Sequence, residues 1–439
     1  MEKSAEQLTL APTTLVIFGI TGDLSRRYIL PALADLHKNG QLPADFKLVG
    51  ISRREINVSE VLTAATKVLK PYLDMVQMDV AEIADYQKIK HKLTNSRQTI
   101  FYFAVPPAAL PPILDLLAEA GLNKGNTKLL LEKPFGRDLK SAEELVAHTK
   151  KCFSEDQIYR IDHYMAKEMS QNIAVFLGSN ALFRSVWSNQ AIDSIDVMAI
   201  EKIGIEGRVD FYEPVGALRD LIQGHLMNLA ALTLMRPCSS LFEFEELPQR
   251  RLEALRALET ADPKLSVRGQ YAGYLKEVNN PASQTETFAC VELKSTDPRW
   301  HGVPIRLTTG KNLKSKFTEI RVRFKKADES QANLLVLRIQ PEEGVEIDLW
   351  AKNPGFDSEL RRLPLKFNYA EGVGRLPNAY EQVLVDAMRS RSSLFTSSAE
   401  VLESWRILQP VLESWQAGKV GLKTYEPGSA VEEVLPRNV

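Results

Sequence analysis

The chain has 439 residues, 44% of them hydrophobic and 25% charged, with a formal net charge of −1. That length exceeds one ordinary core and predicts two or three domains, and the composition excludes a disordered chain. The near-neutral balance leaves no electrostatic footprint for nucleic acid or an acidic membrane surface, so any bound anion must be caught by a local site.

The polar opening MEKSAEQLTLAPTT reads as neither a secretory signal nor a transit peptide. No apolar run reaches transmembrane length. Cys152, Cys238 and Cys290 are odd in number and share no metal-ligand spacing, which predicts reduced thiols in a cytoplasmic protein. Through the first 160 residues, apolar runs alternate with helical patterns. TLVIFG (residues 14–19), FKLVGIS, TIFYFAV and TKLLLEKPF read as strands buried on both faces. SRRYILPALADLHKNG, DYQKIKHKL and LPPILDLLAEAGL read as the helices between them. Strand and helix in alternation predict a doubly wound parallel sheet, a Rossmann-like α/β domain over residues 1–161.

From Asp162 the pattern changes. Two long helical stretches, AKEMSQNIAVFLGS and ALRDLIQGHLMNLAALTLM, precede period-two runs such as TFACVELK, VPIRLT, FTEIRVRFKK, NLLVLRIQ and VEIDLW. In TEIRVRF the apolar residues Ile320, Val322 and Phe324 alternate with Glu319, Arg321 and Arg323, as in a half-solvated strand. A helical tail follows. Residues 162–439 are therefore predicted to form an α+β domain, a large and mainly antiparallel sheet packed on helices. One sheet face and the tail helices carrying Trp405 and Trp415 are candidates for a subunit interface.

FGITGDL joins the first strand to the first helix. Gly19 ends the strand, and Gly22 lets the backbone approach a pyrophosphate at the helix N-terminus. The spacing is G-x-x-G, which any tight turn also favours. At the end of the second strand stand Ser52, Arg53 and Arg54 in place of the acidic residue that holds an NAD ribose. A basic pair there suits the 2′-phosphate of NADP, with NAD still open.

FGITGDLSRR, EKPFG, RIDHYMAKE, GALRDLIQGH and DPRWHGVPIRLTTGK stand in that order along the chain. The series resembles the glucose-6-phosphate dehydrogenase family over nearly the whole length. The resemblance implies oxidation of glucose 6-phosphate at C1 to 6-phosphogluconolactone with hydride transfer to NADP, the first step of the pentose phosphate pathway. It implies that Gly19, Thr21, Gly22, Asp23, Leu24, Arg53 and Arg54 hold the coenzyme and that His163, Tyr164 and Lys167 hold the sugar phosphate. Lys133, followed by a cis proline, would lie between the two. His225 would be the general base and Asp162 its orienting carboxylate. Glu201, Asp220, Lys311 and Lys316 would bond sugar hydroxyls, no metal would take part, and the subunits would form a homodimer or homotetramer.

The residues themselves read in part the same way. Their spacing places His163, Tyr164 and Lys167 on one face of a first helical turn, opposite Met165, Met169, Ile173 and Phe176. Lys133 follows a strand, at the carboxyl edge where ligands of such sheets bind. His225, on the stripe Leu218, Leu221, Ile222 and Leu229, also suits a satisfied core histidine, and Asp162 suits a helix cap. Three departures from the family pattern bear on specificity. Tyr28 stands where a basic residue is usual, Ala166 where glycine is, and Gly224 where asparagine precedes the base. Two other readings stay open, a related sugar oxidoreductase and a non-catalytic sensor of NADP or sugar phosphate.

Overall fold

The structure, a computed structural model, describes residues 10–94, 97–237, 245–327, 331–356, 359–371 and 374–435. Cys238 lies outside them. Contacts divide the chain into two compact units, one of residues 1–136, 140–166 and 377–398, the other of 137–139, 167–376 and 399–439.

In the first unit, among the described residues, six strands pair in parallel. They are β1 (Thr13–Phe18), β2 (Phe46–Ser52), β3 (Leu73–Gln77), β4 (Gln98–Phe103), β5 (Thr127–Leu131) and β6 (Ile158–Arg160), in the order β3-β2-β1-β4-β5-β6. β1, β4 and β5 are buried along their whole length, which is why they read as unbroken apolar runs rather than as alternation. Helices Leu30–Lys38, Leu110–Glu119 and Leu139–Cys152 make return connections. The strand order reverses between β1 and β4, and that reversal opens a crevice at the carboxyl edge.

Local pattern assigns NAYEQVLVDAM to the tail, yet helix Ala379–Met388 belongs to this first unit. Asn378 caps it, its side chain accepting from the N–H of Tyr380 at 2.9 Å and of Glu381 at 3.0 Å. Val383, Leu384 and Ala387 enter the same core as Leu33 and Leu36. A buried lysine fastens the return: Lys128 donates to Gln98 Oε1 at 2.6 Å and to the Ala387 carbonyl and Ser390 Oγ at 2.7 Å. Burial brings its ammonium down to about 8.

The second unit holds, among the described residues, a nine-stranded sheet in the order β14-β13-β12-β11-β7-β10-β9-β8-β15. The strands are β7 (Ile192–Ile200), β8 (Ser266–Tyr271), β9 (Phe288–Leu293), β10 (Ile305–Gly310), β11 (Phe317–Phe324), β12 (Leu334–Gln340), β13 (Gly344–Lys352), β14 (Leu360–Asn368) and β15 (Leu422–Tyr425). It is mixed, because β7–β10 and β8–β15 pair in parallel while the other ladders are antiparallel.

The polar face of β11 differs from expectation. Glu319 is buried and accepts from Arg321 at 2.6 Å, with Arg338 3.5 Å away. Arg338, Glu346, Arg362 and Asp348 continue the alternation of charge toward β14, so a cross-strand ionic ladder stands where a merely solvated face was expected. Trp405 and Trp415 are also unavailable to a partner. Both are buried inside the chain, and Trp415 donates to Ser266 Oγ at 3.0 Å. Within the strands of this sheet, the large apolar side chains that reach solvent are Leu349 on β13 and Leu360, Leu365 and Phe367 on β14.

Candidate active site

The candidate residues of the first unit converge because each follows the carboxyl end of a strand. Gly19 follows β1, Arg53 follows β2, Lys133 stands two residues past β5 and Asp162 two past β6. At Gly19 φ is +81°, and a Cβ built there would meet the Ala104 carbonyl oxygen at 2.2 Å, so only glycine fits. Gly22 closes the turn by donating its N–H to the Gly19 carbonyl at 2.9 Å, and the buried Ser25 hydroxyl donates to the same oxygen at 3.0 Å. Thr21 and Leu24 are half-buried on this loop. Helix then runs from Asp23 to Lys38, with a π turn over Ser25–Ile29. A dinucleotide phosphate fits such a loop, since a backbone without side chains can come close to it. Arg53 and Arg54 are exposed, and among the described residues neither guanidinium has an ion-pair partner.

Asp23 is exposed and pairs with Arg27 at 3.3 Å. Tyr28 takes up a position of its own: it stacks on Tyr380 with ring centroids 5.3 Å apart, and the Arg27 guanidinium lies 5.6 Å from its ring centre.

The Lys133–Pro134 peptide is cis, in line with the resemblance. The residue before it, Glu132, is one that sequence reading passed over. Tyr102 donates to its carboxylate at 2.5 Å, and burial raises the Glu132 acid to about 7, with the Asp162 charge pushing the same way. Burial, followed by the Glu132 charge, holds the Tyr102 phenol well above its ordinary range.

The turn 163–166 corrects one expectation. His163, Tyr164 and Lys167 are not on a helix face: residues 163–166 form turns, and the helix is Glu168–Ser179 with Lys167 at its N-cap in extended conformation. Asp162, 2% exposed, shapes that turn by accepting from the Tyr164 N–H at 2.9 Å. Ala166 is buried here without a positive φ, so replacing glycine costs nothing in the backbone. Met165, Met169 and Ile173 are buried as expected, while Phe176 is half-buried against Phe183.

In the second unit, strand pairing brings three separated residues to one edge. Ile200, the last residue of β7, faces Gly310 of β10 on one side and Phe317 of β11 on the other. Glu201, Lys311 and Lys316 are the residues next to these three. Lys311 is 4% exposed, and its ammonium is 2.5 Å from Glu201 Oε2 and 3.3 Å from Asp220 Oδ2. It also lies 5.0 Å from the centre of the Tyr212 ring. Lys316 is exposed. Lys167 approaches Glu343 at 3.8 Å, and the same carboxylate accepts from the Met169 N–H at 2.7 Å. Burial raises the Glu343 acid, against the pull of that N–H and of Lys167. Glu343 carried no sequence signal of its role.

His225 is 5% exposed. The stripe Leu218, Leu221 and Ile222 is buried as expected, but the helix breaks just before the histidine, at Gln223 (φ −70°, ψ 101°) and Gly224 (φ 113°, ψ −89°). Gly224 therefore replaces asparagine where the backbone itself demands glycine. Helix Met227–Leu234 then continues, and its end is held by the PRW motif, with Arg299 and Trp300 donating to the Leu234 carbonyl at 3.0 and 2.7 Å.

A glycine loop on a doubly wound sheet, followed by a unit that gathers basic and acidic side chains at one sheet edge, defines a nicotinamide-dinucleotide oxidoreductase of two parts. Comparison with known proteins narrows this. The description "Glucose-6-phosphate dehydrogenase, NAD binding domain" matches residues 16–172, and "Glucose-6-phosphate dehydrogenase, C-terminal domain" matches residues 174–435. The glucose-6-phosphate 1-dehydrogenase of Rhizobium meliloti is 33% identical over 97% of this chain and 96% of its own. That of Bacillus subtilis is 35% identical over 94% of each. A solved glucose-6-phosphate dehydrogenase in complex with glucose 6-phosphate superposes with a TM-score of 0.90 at 28% identity, covering 98% of this chain and 96% of the other. The chain belongs to the glucose-6-phosphate dehydrogenase family, oxidoreductases of carbohydrate metabolism. No helix among the described residues is long and apolar enough to cross a membrane.

Proposed function

We propose that this chain oxidises glucose 6-phosphate at C1 to 6-phosphogluconolactone, with NADP as the preferred coenzyme and His225 as general base. When bound, the nicotinamide ring supplies the hydride acceptor. His225 takes the O1 proton while the C1–H bond gives up its electron pair, and the C1–O1 bond becomes a carbonyl. Asp162 holds the imidazole in the tautomer that leaves one nitrogen free for that proton and stabilises the imidazolium that forms. His163, Tyr164 and Lys167 hold the 6-phosphate through charge-assisted hydrogen bonds. Lys133 spans coenzyme and sugar, while Glu201, Asp220, Lys311 and Lys316 bond the sugar hydroxyls.

The observation that carries the reading is the segment Asp162–Lys167. Its donors precede helix Glu168–Ser179, in a turn rather than along a helix, and a run of His, Tyr and Lys ahead of a helix N-terminus suits a dianion. The exposed Arg53 and Arg54 beyond β2, without an ion-pair partner among the described residues, support NADP over NAD. The exposed apolar residues of β14 support a homo-oligomer, which light scattering on the purified protein tests. For the reaction, initial rates with glucose 6-phosphate and with free glucose decide: turnover that does not depend on the 6-phosphate would point to a different sugar oxidoreductase.

A further inference from the structure

Beyond the crevice, the described residues hold a second cluster of ligand-type side chains. Asp115 lies on helix Leu110–Glu119, and His148 and Cys152 lie on helix Leu139–Cys152. We propose that Asp115, His148 and Cys152 form a binding site for a thiophilic divalent cation, zinc being the ion that best suits one oxygen, one nitrogen and one sulfur donor.

His148 and Cys152 are four residues apart and so share a helix face. Asp115 Oδ1 is 3.0 Å from His148 Nε2 and 3.4 Å from Cys152 Sγ, and the three donors all lie within 4.8 Å of one another. Zinc bonds of about 2.0–2.1 Å to nitrogen and oxygen and about 2.3 Å to sulfur give tetrahedral edges of roughly 3.3–3.6 Å. The two edges that meet at Asp115 therefore need to open by only a few tenths of an ångström, and the His148 Nε2–Cys152 Sγ edge lies within 4.8 Å. Asp115 is exposed and His148 partly so, above a buried Cys152, which leaves an approach from solvent and a fourth position for water.

Loading exchanges a proton for the ion. The ion displaces the Sγ proton of Cys152 to solvent and forms the metal–sulfur bond in its place. His148 Nε2 gives up its contact with the Pro111 carbonyl at 3.3 Å. The Lys151 charge beside the thiol works against the cation. Helix Leu139–Cys152 runs back from the carboxyl edge of β5, so Cys152 lies toward the opposite edge of the sheet, away from the glycine loop. The ion would tie two crossover helices together and take no part in the chemistry.

Cobalt titration of the chelator-treated full chain tests this through the thiolate-to-cobalt charge-transfer band. The expected result is a saturable band at one ion per chain, bleached by zinc and lost in Cys152→Ser. Asp115→Asn, a change at an exposed side chain that leaves the fold intact, should weaken affinity by at least about tenfold, and at one zinc concentration the rise in melting temperature should be largest for wild type, smaller for Asp115→Asn and absent for Cys152→Ser. A missing band, a band that survives in Cys152→Ser, or an Asp115→Asn protein that binds as wild type would each overturn the proposal.

Discussion

Lys311→Met removes a buried ammonium from beside two partly exposed carboxylates, and its consequences separate two roles for that lysine. The ammonium lies 2.5 Å from Glu201 and 3.3 Å from Asp220. At an effective dielectric of about 20 these contacts are worth roughly 7 and 5 kcal/mol before desolvation is counted. The net loss is smaller, below the roughly 3–5 kcal/mol found for fully buried pairs, because Glu201 and Asp220 stay partly exposed to water. If Lys311 also donates to a sugar hydroxyl, a charge-assisted bond of about 1.5–3 kcal/mol disappears, or roughly 10- to 150-fold in kcat/KM. Lys311→Met/Glu201→Gln distinguishes the two. Removing one carboxylate should restore most of the thermal stability lost in Lys311→Met, while kcat/KM for glucose 6-phosphate stays at least about tenfold below that of Glu201→Gln alone. Recovery of kcat/KM together with stability would refute a substrate-binding role and leave Lys311 as a brace.

Three further outcomes are expected. Glu132 has its folded acid raised to about 7 against an unfolded value of about 4.3. Its contribution to stability is therefore full below the unfolded value and lost as pH rises through the folded one; Glu132→Gln should flatten the decline in melting temperature over that window, and parallel profiles for variant and wild type would show the carboxyl has no such part. Gly224→Ala forces a side chain onto φ 113°, a strain of about 1–3 kcal/mol, and should lower kcat more than it raises KM for the coenzyme; unchanged kcat would mean that the kink does not position His225. Arg53→Ala should cost NADP about tenfold or more in kcat/KM, the worth of a lost charged hydrogen bond, while leaving NAD unaffected; equal losses for both coenzymes would sink the 2′-phosphate assignment.

Strand ends in the first unit were legible because β1, β2, β4 and β5 are short, largely apolar and bounded by turn residues, so Gly19, Arg53 and Lys133 could be placed at the carboxyl edge directly. The turn 163–166 was misread because donors spaced three and four residues apart fit a helical turn as well as two successive tight turns. The extended backbone at Lys167 is what separates this turn from the helix that starts at Glu168. The break before His225 had a local signal, Gly224 inside an amphipathic run. β8 and β14 escaped for familiar reasons: Gly269 interrupts one, and Pro364 with three basic residues makes the other read as loop, though proline is tolerated on an edge strand. The gathering of Glu201, Lys311 and Lys316, like the Tyr102–Glu132 bond and the return of residues 377–398, depends on pairings between distant segments that no local pattern encodes.

The most direct test of the account is a set of initial rates of nicotinamide reduction by the purified protein, with glucose 6-phosphate or glucose and NADP or NAD, and His225→Asn beside wild type. The account predicts turnover that requires the 6-phosphate, favours NADP and is largely lost in the variant while binding of glucose 6-phosphate persists. A His225→Asn protein that turns over like wild type, or a wild type that binds NADP and oxidises neither sugar, would contradict it.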